Sequence, residues 1–470
     1  MNDAPVIHWF RRDLRLHDNL ALEAAFHTGA PILPIFIFDP AILKSDWSGV
    51  PRLAFLLQAL NSLDQVLQIW GGKLLVRIGD PRHVLPMIIQ ETGATKLFFN
   101  KDYSPFAEKR DQQIVESVNI AVATFDDAVL QTPGTVIKAD GEPYTVFTPF
   151  KRQWLAHAKT PITENYLAGG RFYCLDDMGH VPSLKDLGFG QSETEIPEAS
   201  EQKAADLLHH FMQKTIQEYA EQRNILAADR NQSQAGTSYL SPYFRFGLLS
   251  PRQVYWAARR AYSDITSPVA KESIETWVSE LVWREFYMHI LHFFPHVIGG
   301  SFQRKYDRLA WRYVPDELAA WQAGMTGYPV VDAAMRQLKA IGWMHNRARM
   351  IVASFLTKDL LIDWREGERH FMQWLIDGDP AANNGGWQWA AGTGTDAQPY
   401  FRIFNPQAQS EKFDPEGVYI RCWLPELRDV PTQFIHAPHL MSNPPGDYPA
   451  PIVEHALARR RALIAYQSVK

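Results

Sequence analysis

Five short apolar runs open the chain: VIHWF (6–10), PILPIFIF (31–38), KLLVRI (73–78), TKLFFN (95–100) and NIAVATF (119–125). Helix-length stretches such as PRLAFLLQALNSLDQVLQIW separate them. Strands that are apolar on both faces, each followed by a helix, fit a parallel sheet covered on both sides. Residues 1–130 therefore predict a Rossmann-like α/β domain. The turn after the first strand reads FRRDLRLHDN rather than G-x-G-x-x-G, so the usual pyrophosphate fingerprint is missing.

Residues 131–200 change character. Proline and glycine are scattered, periodicity is weak, and the stretch ends in GFGQSETEIPEAS, which predicts a long interdomain linker running over the surface. From residue 201 helical patterns dominate, as in EQKAADLLHHFMQKTIQEYAEQR, SIETWVSELVWREFYMHILHFF and VVDAAMRQLKAIGWMHNRARMIVASFLTKDLL. Residues 201–470 are expected to form a large all-α domain. No repeat or low-complexity tract interrupts either half.

Composition removes several classes of function. At 46% hydrophobic and 21% charged residues the chain is that of a globular protein. Cys174 and Cys422 are its only cysteines, which argues against a disulfide framework and a cysteine-rich zinc site. Neither a signal-peptide pattern nor a run of about 18 apolar residues occurs, so a cytoplasmic protein with no membrane partner is expected. Net charge is −5, yet it is unevenly spread. Residues 1–130 carry 12 Lys+Arg against 15 Asp+Glu, whereas residues 240–370 carry 17 against 13. The second region permits a phosphate-contacting face without requiring one.

Three stretches of the helical half concentrate chemistry. In ETWVSELVWREFYMHIL, helical spacing puts Glu280, Trp283, Arg284 and Tyr287 on one face, with Trp277 a turn earlier. A solvated Glu280–Arg284 pair at i,i+4 explains those letters, and so does a ligand-facing stripe in which aromatics flank a charge. In WMHNRARMIVASFL, Trp343, Asn346, Arg347 and Met350 share a face, with Arg349 three residues beyond Asn346. His345 has no second ligand at metal spacing on that helix, so no metal is expected. In GTSYLSPYFRFGLLSPRQ, Thr237, Ser238 and Ser241 gather hydroxyls and amides ahead of a helix, which serves either as a helix cap or as a phosphate grip without lysine.

The combination carries more than any part. EYAEQR, GTSYLSPYFRFG, ELVWREFY, TGYPVVDAAMRQL, GWMHNRARM, DWREGE, DGDPAANNGGWQW, GTDAQPYFRIFNP and EKFDPEGVYIRCWLPEL, in this order behind FRRDLRLHDN, resemble the photolyase and cryptochrome flavoproteins over about residues 6–460. Asn346 and Met350 stand where six-four photolyases and animal cryptochromes place histidines, and Asn383 stands where plant cryptochromes usually have aspartate. The resemblance is therefore to the class I cyclobutane pyrimidine dimer branch.

That resemblance implies a reaction and a set of residues. Light-excited reduced FAD would donate an electron to a flipped-out pyrimidine dimer in UV-damaged DNA, the cyclobutane bonds would break, and the electron would return. Tyr219, Thr237, Ser238, Leu240, Ser241, Trp277, Arg284, Arg349, Asp377 and Asp379 would hold FAD, with Asn383 beside its N5. Glu280 would hydrogen-bond the dimer, with Asn346 and Met350 beside it, and Trp283 and Trp389 would be platforms for the flipped bases. Arg223, Arg347 and Arg402 would meet the DNA backbone. Trp311, Trp364 and Trp387 would carry electrons to oxidised flavin. The resemblance also implies a monomer with no obligate protein partner, and a blue-light receptor that signals through a partner is the alternative.

Two departures bear on the edges of this picture. Phe106 and Ala107 in NKDYSPFAEKRD, and the absence of lysine from PHVIGGSF, do not fit the folate-antenna pattern. The sequence leaves open whether a second antenna chromophore is bound and, if so, whether it is a deazaflavin, a folate or another flavin. The segment NILAADRNQSQAG between Arg223 and Thr237 is longer than the link usual in the family.

Overall fold

The computed structural model describes residues 4–163, 171–226 and 236–469; most of the long NILAADRNQSQAG segment, residues 227–235, lies outside them. The five apolar runs form strands β1 (Val6–Phe10), β2 (Ile32–Phe38), β3 (Leu75–Ile78), β4 (Lys96–Asn100) and β5 (Ala121–Phe125). They make one wholly parallel sheet in the order β3-β2-β1-β4-β5. Strands β1 and β2 are buried throughout, as their unbroken apolar character requires. Three helices that follow a strand start on a side-chain cap: Asn19 accepts from the Leu22 amide, Asp80 from Arg82 and Ser104 from Ala107. Strand order reverses between β1 and β4, and the loops beyond those two strands carry Arg11, Arg12, Asp102 and Ser104.

Part of the connection at 131–200 is buried, where its composition predicts a linker running over the surface. A helix at Phe147–Ala156 buries Phe147, Phe150 and Trp154, which recur on one face at helical spacing. The Trp154 indole donates to Glu285 at 2.6 Å, and Phe172 bridges to Ile32 of β2. Proline and glycine around this helix hid a signal only ten residues long.

The helical half is organised around the Pro268–Phe293 helix, whose Ile274, Val278, Val282 and Phe286 are fully buried. A second core gathers the helices Pro329–Ile341, Asn346–Ser354, Trp364–Trp374 and Pro380–Ala391. Buried charges lock the two halves together. Arg252 donates to Asp18 at 3.1 Å and to Asp127 at 2.6 Å, and Arg15 donates to Asp127 at 2.6 Å. Each of these side chains is about 1% exposed, a placement that only mutual pairing makes tolerable. Among the described residues no helix is long and apolar enough to cross a membrane.

Candidate active site

The Pro268–Phe293 helix aims its stripe as the spacing predicts but pairs its charges differently. Glu280 binds Arg223 at 2.7 Å, not Arg284. The Arg284 guanidinium instead donates to the Ala128 carbonyl at 2.7 Å, toward the domain interface. Burial pushes the Glu280 carboxyl above its ordinary pKa, and Arg223 opposes that shift. Arg223 also lies 5.3 Å over the Tyr219 ring, so the Ile216–Gln222 helix and the long helix share one cation. Trp277 is buried against Phe211 at 5.2 Å. Trp283 is half-buried and stacks on Phe147 at 3.6 Å with an interplanar angle of 4°. Phe147 comes from the connection, and its support for Trp283 was not legible from helix spacing.

A second wall comes from the Asn346–Ser354 helix and the segment before it. Asn346 is exposed, while Arg347, Arg349 and Met350 are half-buried. Arg347 donates to Asn224 at 2.7 Å and lies 4.4 Å over Phe413. Arg349 reaches Asp377 at 2.7 Å and the Met344 carbonyl at 2.8 Å. The Trp343 indole donates to Ser241 Oγ at 3.2 Å, which ties this wall to the Thr237–Ser241 turn. Leu240 is buried under that turn, where Thr237 and Ser238 are half-buried.

The Pro380–Ala391 helix supplies the floor. Asp379 caps it, accepting from Ala381 and Ala382, and binds Arg12 of the first domain at 2.6 Å. Burial alone would raise the Asp379 pKa, but Arg12, Arg245 and Arg284 hold it well below the carboxylate range. Its carboxylate is thus committed to the domain interface and the helix cap. Asn383 donates to the Glu368 carbonyl at 2.9 Å, and Asn384 donates to the Glu368 carboxyl at 2.8 Å. Burial lifts Glu368 to about 7, a titratable group that no sequence motif singled out.

The tryptophans separate by depth. Trp364 and Trp387 are buried, and both indole nitrogens lack a hydrogen-bond partner. Trp387 lies 4.9 Å from Phe371 and 6.0 Å from Trp321, and Trp311 is half-buried 6.2 Å from Tyr466. Trp321, absent from the predicted set, is therefore a neighbour of the predicted chain. Trp389 is half-buried at the rim and Arg402 is exposed.

The donor set fits a dinucleotide. Thr237 Oγ1 and Asp377 Oδ1 are buried with no protein partner, a costly condition that ligand polar groups would relieve. Among the described residues no cluster of three His, Cys, Asp or Glu side chains could hold a metal. A cavity of about 390 Å³ opens where the strand order reverses. Arg12, Arg52, Phe106, Arg110 and Arg245 are among its lining residues. Open α/β sheets bind ligands at such a crevice. Arg245 is buried there with Nη1 unpartnered, and burial together with Arg12 lowers its pKa to about 9.

A parallel α/β sheet packed against a helical domain, in which Thr237 and Asp377 leave buried polar atoms unpartnered, fits a two-domain nucleotide-binding protein. Two family descriptions match the chain: "DNA photolyase" over residues 6–166 and "FAD binding domain of DNA photolyase" over residues 277–468. The deoxyribodipyrimidine photo-lyase of Escherichia coli is 44% identical over 98% of each chain. The structure of a bacterial class III photolyase from Agrobacterium tumefaciens shares 36% identity with a TM-score of 0.90, covering 100% of this chain and 98% of that one. An archaeal photolyase from Sulfolobus tokodaii, solved with two FAD molecules, shares 32% identity with a TM-score of 0.85 over 99% of this chain and 100% of its own. The chain belongs to the DNA photolyase family, and FAD is its cofactor.

Proposed function

We propose that the protein is a light-driven lyase that restores cyclobutane pyrimidine dimers in DNA. The observation that carries this reading is the rim of the pocket, where the Glu280 carboxyl, raised by burial, sits three residues from the Phe147-backed Trp283. The bound FAD supplies the light-driven electron chemistry. The protein holds the cofactor with Tyr219, Thr237, Ser238, Leu240, Ser241, Trp277, Arg349 and Asp377. Arg284 and Asp379 act from the domain interface, and Asn383 presents its amide from the floor.

The substrate-facing roles follow from side-chain chemistry. A dimer must leave the stack before it is reached, and a damaged base is cheaper to extrude; photolyases are themselves the standard illustration of this step. Trp283 and Trp389 are apolar platforms for the extruded bases. Glu280 hydrogen-bonds the dimer through a carboxyl that burial raises and Arg223 opposes, beside Asn346 and Met350. Arg223, Arg347 and Arg402 meet the phosphates and make affinity fall with salt. Trp387, Trp364 and Trp311 relay electrons from the surface.

The roles divide along the chain, with an antenna domain at 1–130, a connection at 131–200 and a catalytic domain at 201–470. The crevice at the sheet takes the second chromophore. Its arginines and its aromatic wall suit a planar ring with an anionic tail, and Phe106 and Ala107 in its lining depart from the folate pattern, which favours a flavin or deazaflavin. The protein acts as a cytoplasmic monomer without an obligate partner. The receptor alternative is the weaker reading, since relatives 41% and 44% identical over 99% and 98% of this chain carry the lyase name.

The test is direct. Purified protein illuminated with near-UV or blue light in the presence of a reductant is expected to restore dimer-containing DNA, and the dark control is not. Bound FAD without light-dependent restoration would overturn the proposal. Extraction and an absorption spectrum identify the second chromophore, and a folate spectrum would overturn its assignment.

A further inference from the structure

By residue type His345 invites a metal reading, but no second His, Cys or carboxylate stands at ligand spacing on its helix. Its surroundings give it another use. It caps the Asn346–Ser354 helix, accepting the Arg347 amide on Nδ1 at 3.1 Å. A neutral imidazole has one accepting and one donating nitrogen, so the cap fixes the proton on Nε2. That Nε2–H is buried, and the protein offers it no acceptor. The side chain is about 1% exposed, so bulk water does not satisfy it. Leaving a buried donor unmet costs roughly 1–3 kcal/mol.

The unmet donor sits among the groups already assigned to the cofactor. The His345 ring is 6.3 Å from Trp343, whose indole donates to Ser241. The carbonyl of the preceding residue, Met344, receives Arg349, and Arg349 holds Asp377. Thr237 Oγ1 and Asp377 Oδ1 are left without partners in the same way. Burial, reinforced by Arg347, Arg349 and Arg223, also keeps the ring neutral, with a pKa lowered to about 3.

We propose that His345 is a binding residue for FAD, donating its Nε2–H to an acceptor atom of the dinucleotide while its Nδ1 holds the helix cap. The proposal rests on FAD occupying this pocket, not on repair activity, so a protein that binds FAD but fails to repair DNA leaves it intact. The neutral donor complements the arginines: they neutralise phosphate charge, whereas the histidine adds direction without another cation.

Two variants separate binding from capping. His345→Ser keeps an oxygen for the Arg347 amide and removes the donor, whereas His345→Asn keeps a capping oxygen and an N–H donor. FAD release from each holoprotein in the dark, followed by the rise in free-flavin fluorescence, gives the dissociation constant. The expected result is a loss of about tenfold for His345→Ser, a value typical of one lost hydrogen bond, with at least half of that loss in free energy recovered in His345→Asn. Wild-type affinity in His345→Ser would overturn the proposal, because the donor would then meet only a buried water or nothing. Equal losses in both variants would also overturn it, since the effect would then follow the ring and not the donor.

Discussion

Glu280 shows what side-chain spacing can and cannot settle. The i,i+4 rule offered Arg284 as its partner, but the cation that binds it is Arg223, 57 positions away and brought close only by packing of the Ile216–Gln222 helix. Burial raises its pKa while Arg223 opposes that shift, so Glu280 meets a bound lesion as a hydrogen-bonding group held in place by one cation. Replacing it in Glu280→Ala is expected to lower the repair yield per absorbed photon by about tenfold, the worth of one hydrogen bond to developing charge, with DNA affinity changed by less than about twofold. An unchanged yield, measured on a dimer-containing oligonucleotide, would remove Glu280 from the reaction. Glu368 was invisible in sequence because nothing in DWREGE distinguishes a buried glutamate from the half-buried one two residues earlier. Its folded-state pKa of about 7 lies above the unconstrained 4.5, so its stabilising share is complete below pH 4.5 and disappears as pH rises through 7. Glu368→Gln keeps an acceptor for Asn384 and removes that dependence. At pH 8 the variant is expected to be more stable than wild type by up to about 3 kcal/mol, and at pH 4.5 to match it. Urea denaturation at the two pH values checks this, and parallel pH profiles for both proteins would sink it.

At the scale of elements, legibility followed periodicity. The five strands were readable because an apolar run buried on both faces leaves few other outcomes, and the long helices because their stripes persist over several turns. The Phe147–Ala156 helix was not, being ten residues long between turn-forming segments. Nor did the sequence disclose that the start of the Pro380–Ala391 helix is a domain joint. Asp379 is expected from the family resemblance to hold cofactor, and its carboxylate also caps that helix and meets Arg12 from the first domain. The same element carries Asn383 and Trp387, so any loosening of its first turn reaches the cofactor floor. Asp379→Asn retains a capping oxygen but withdraws the negative charge that faces Arg12, Arg245 and Arg284. Breaking a buried pair from one side leaves the other charge uncompensated, so a loss of about 3 kcal/mol is expected; Asp379→Ala should lose about 1 kcal/mol more with the cap. Thermal melts of the two variants beside wild type give both numbers. If the asparagine variant melts like wild type, the arginines are satisfied without Asp379 and the joint is held elsewhere.

The whole molecule binds its two halves through buried charge and places neutral histidines in both. His8 lies in β1 and His289, His345 and His370 in the helical half, and burial lowers their pKa values to about 3, 4, 3 and 4. An unfolded chain takes up protons at these sites from pH 6.5 downward, while the folded one does not. The stability they provide is therefore complete above pH 6.5 and is lost as pH falls toward 4 and 3. Between pH 6.5 and 5.5 each gives up about 1 kcal/mol, or about 4 kcal/mol together, against about 1 kcal/mol regained at Glu368. His17 and His292 are half-exposed and raised by Glu201 and Glu108, so they oppose the trend weakly through screened contacts. Summed over these five buried groups the expectation is a loss of about 3 kcal/mol over that single pH unit, which other raised carboxyls such as Glu285 and Asp332 diminish. Urea midpoints at pH 6.5 and 5.5, read on the FAD-loaded protein by tryptophan fluorescence, measure it. A flat profile would mean that these histidines ionise inside the fold. His345 could not then keep its Nδ1 free for the cap, which couples the acid behaviour of the entire chain to the wall of the flavin pocket.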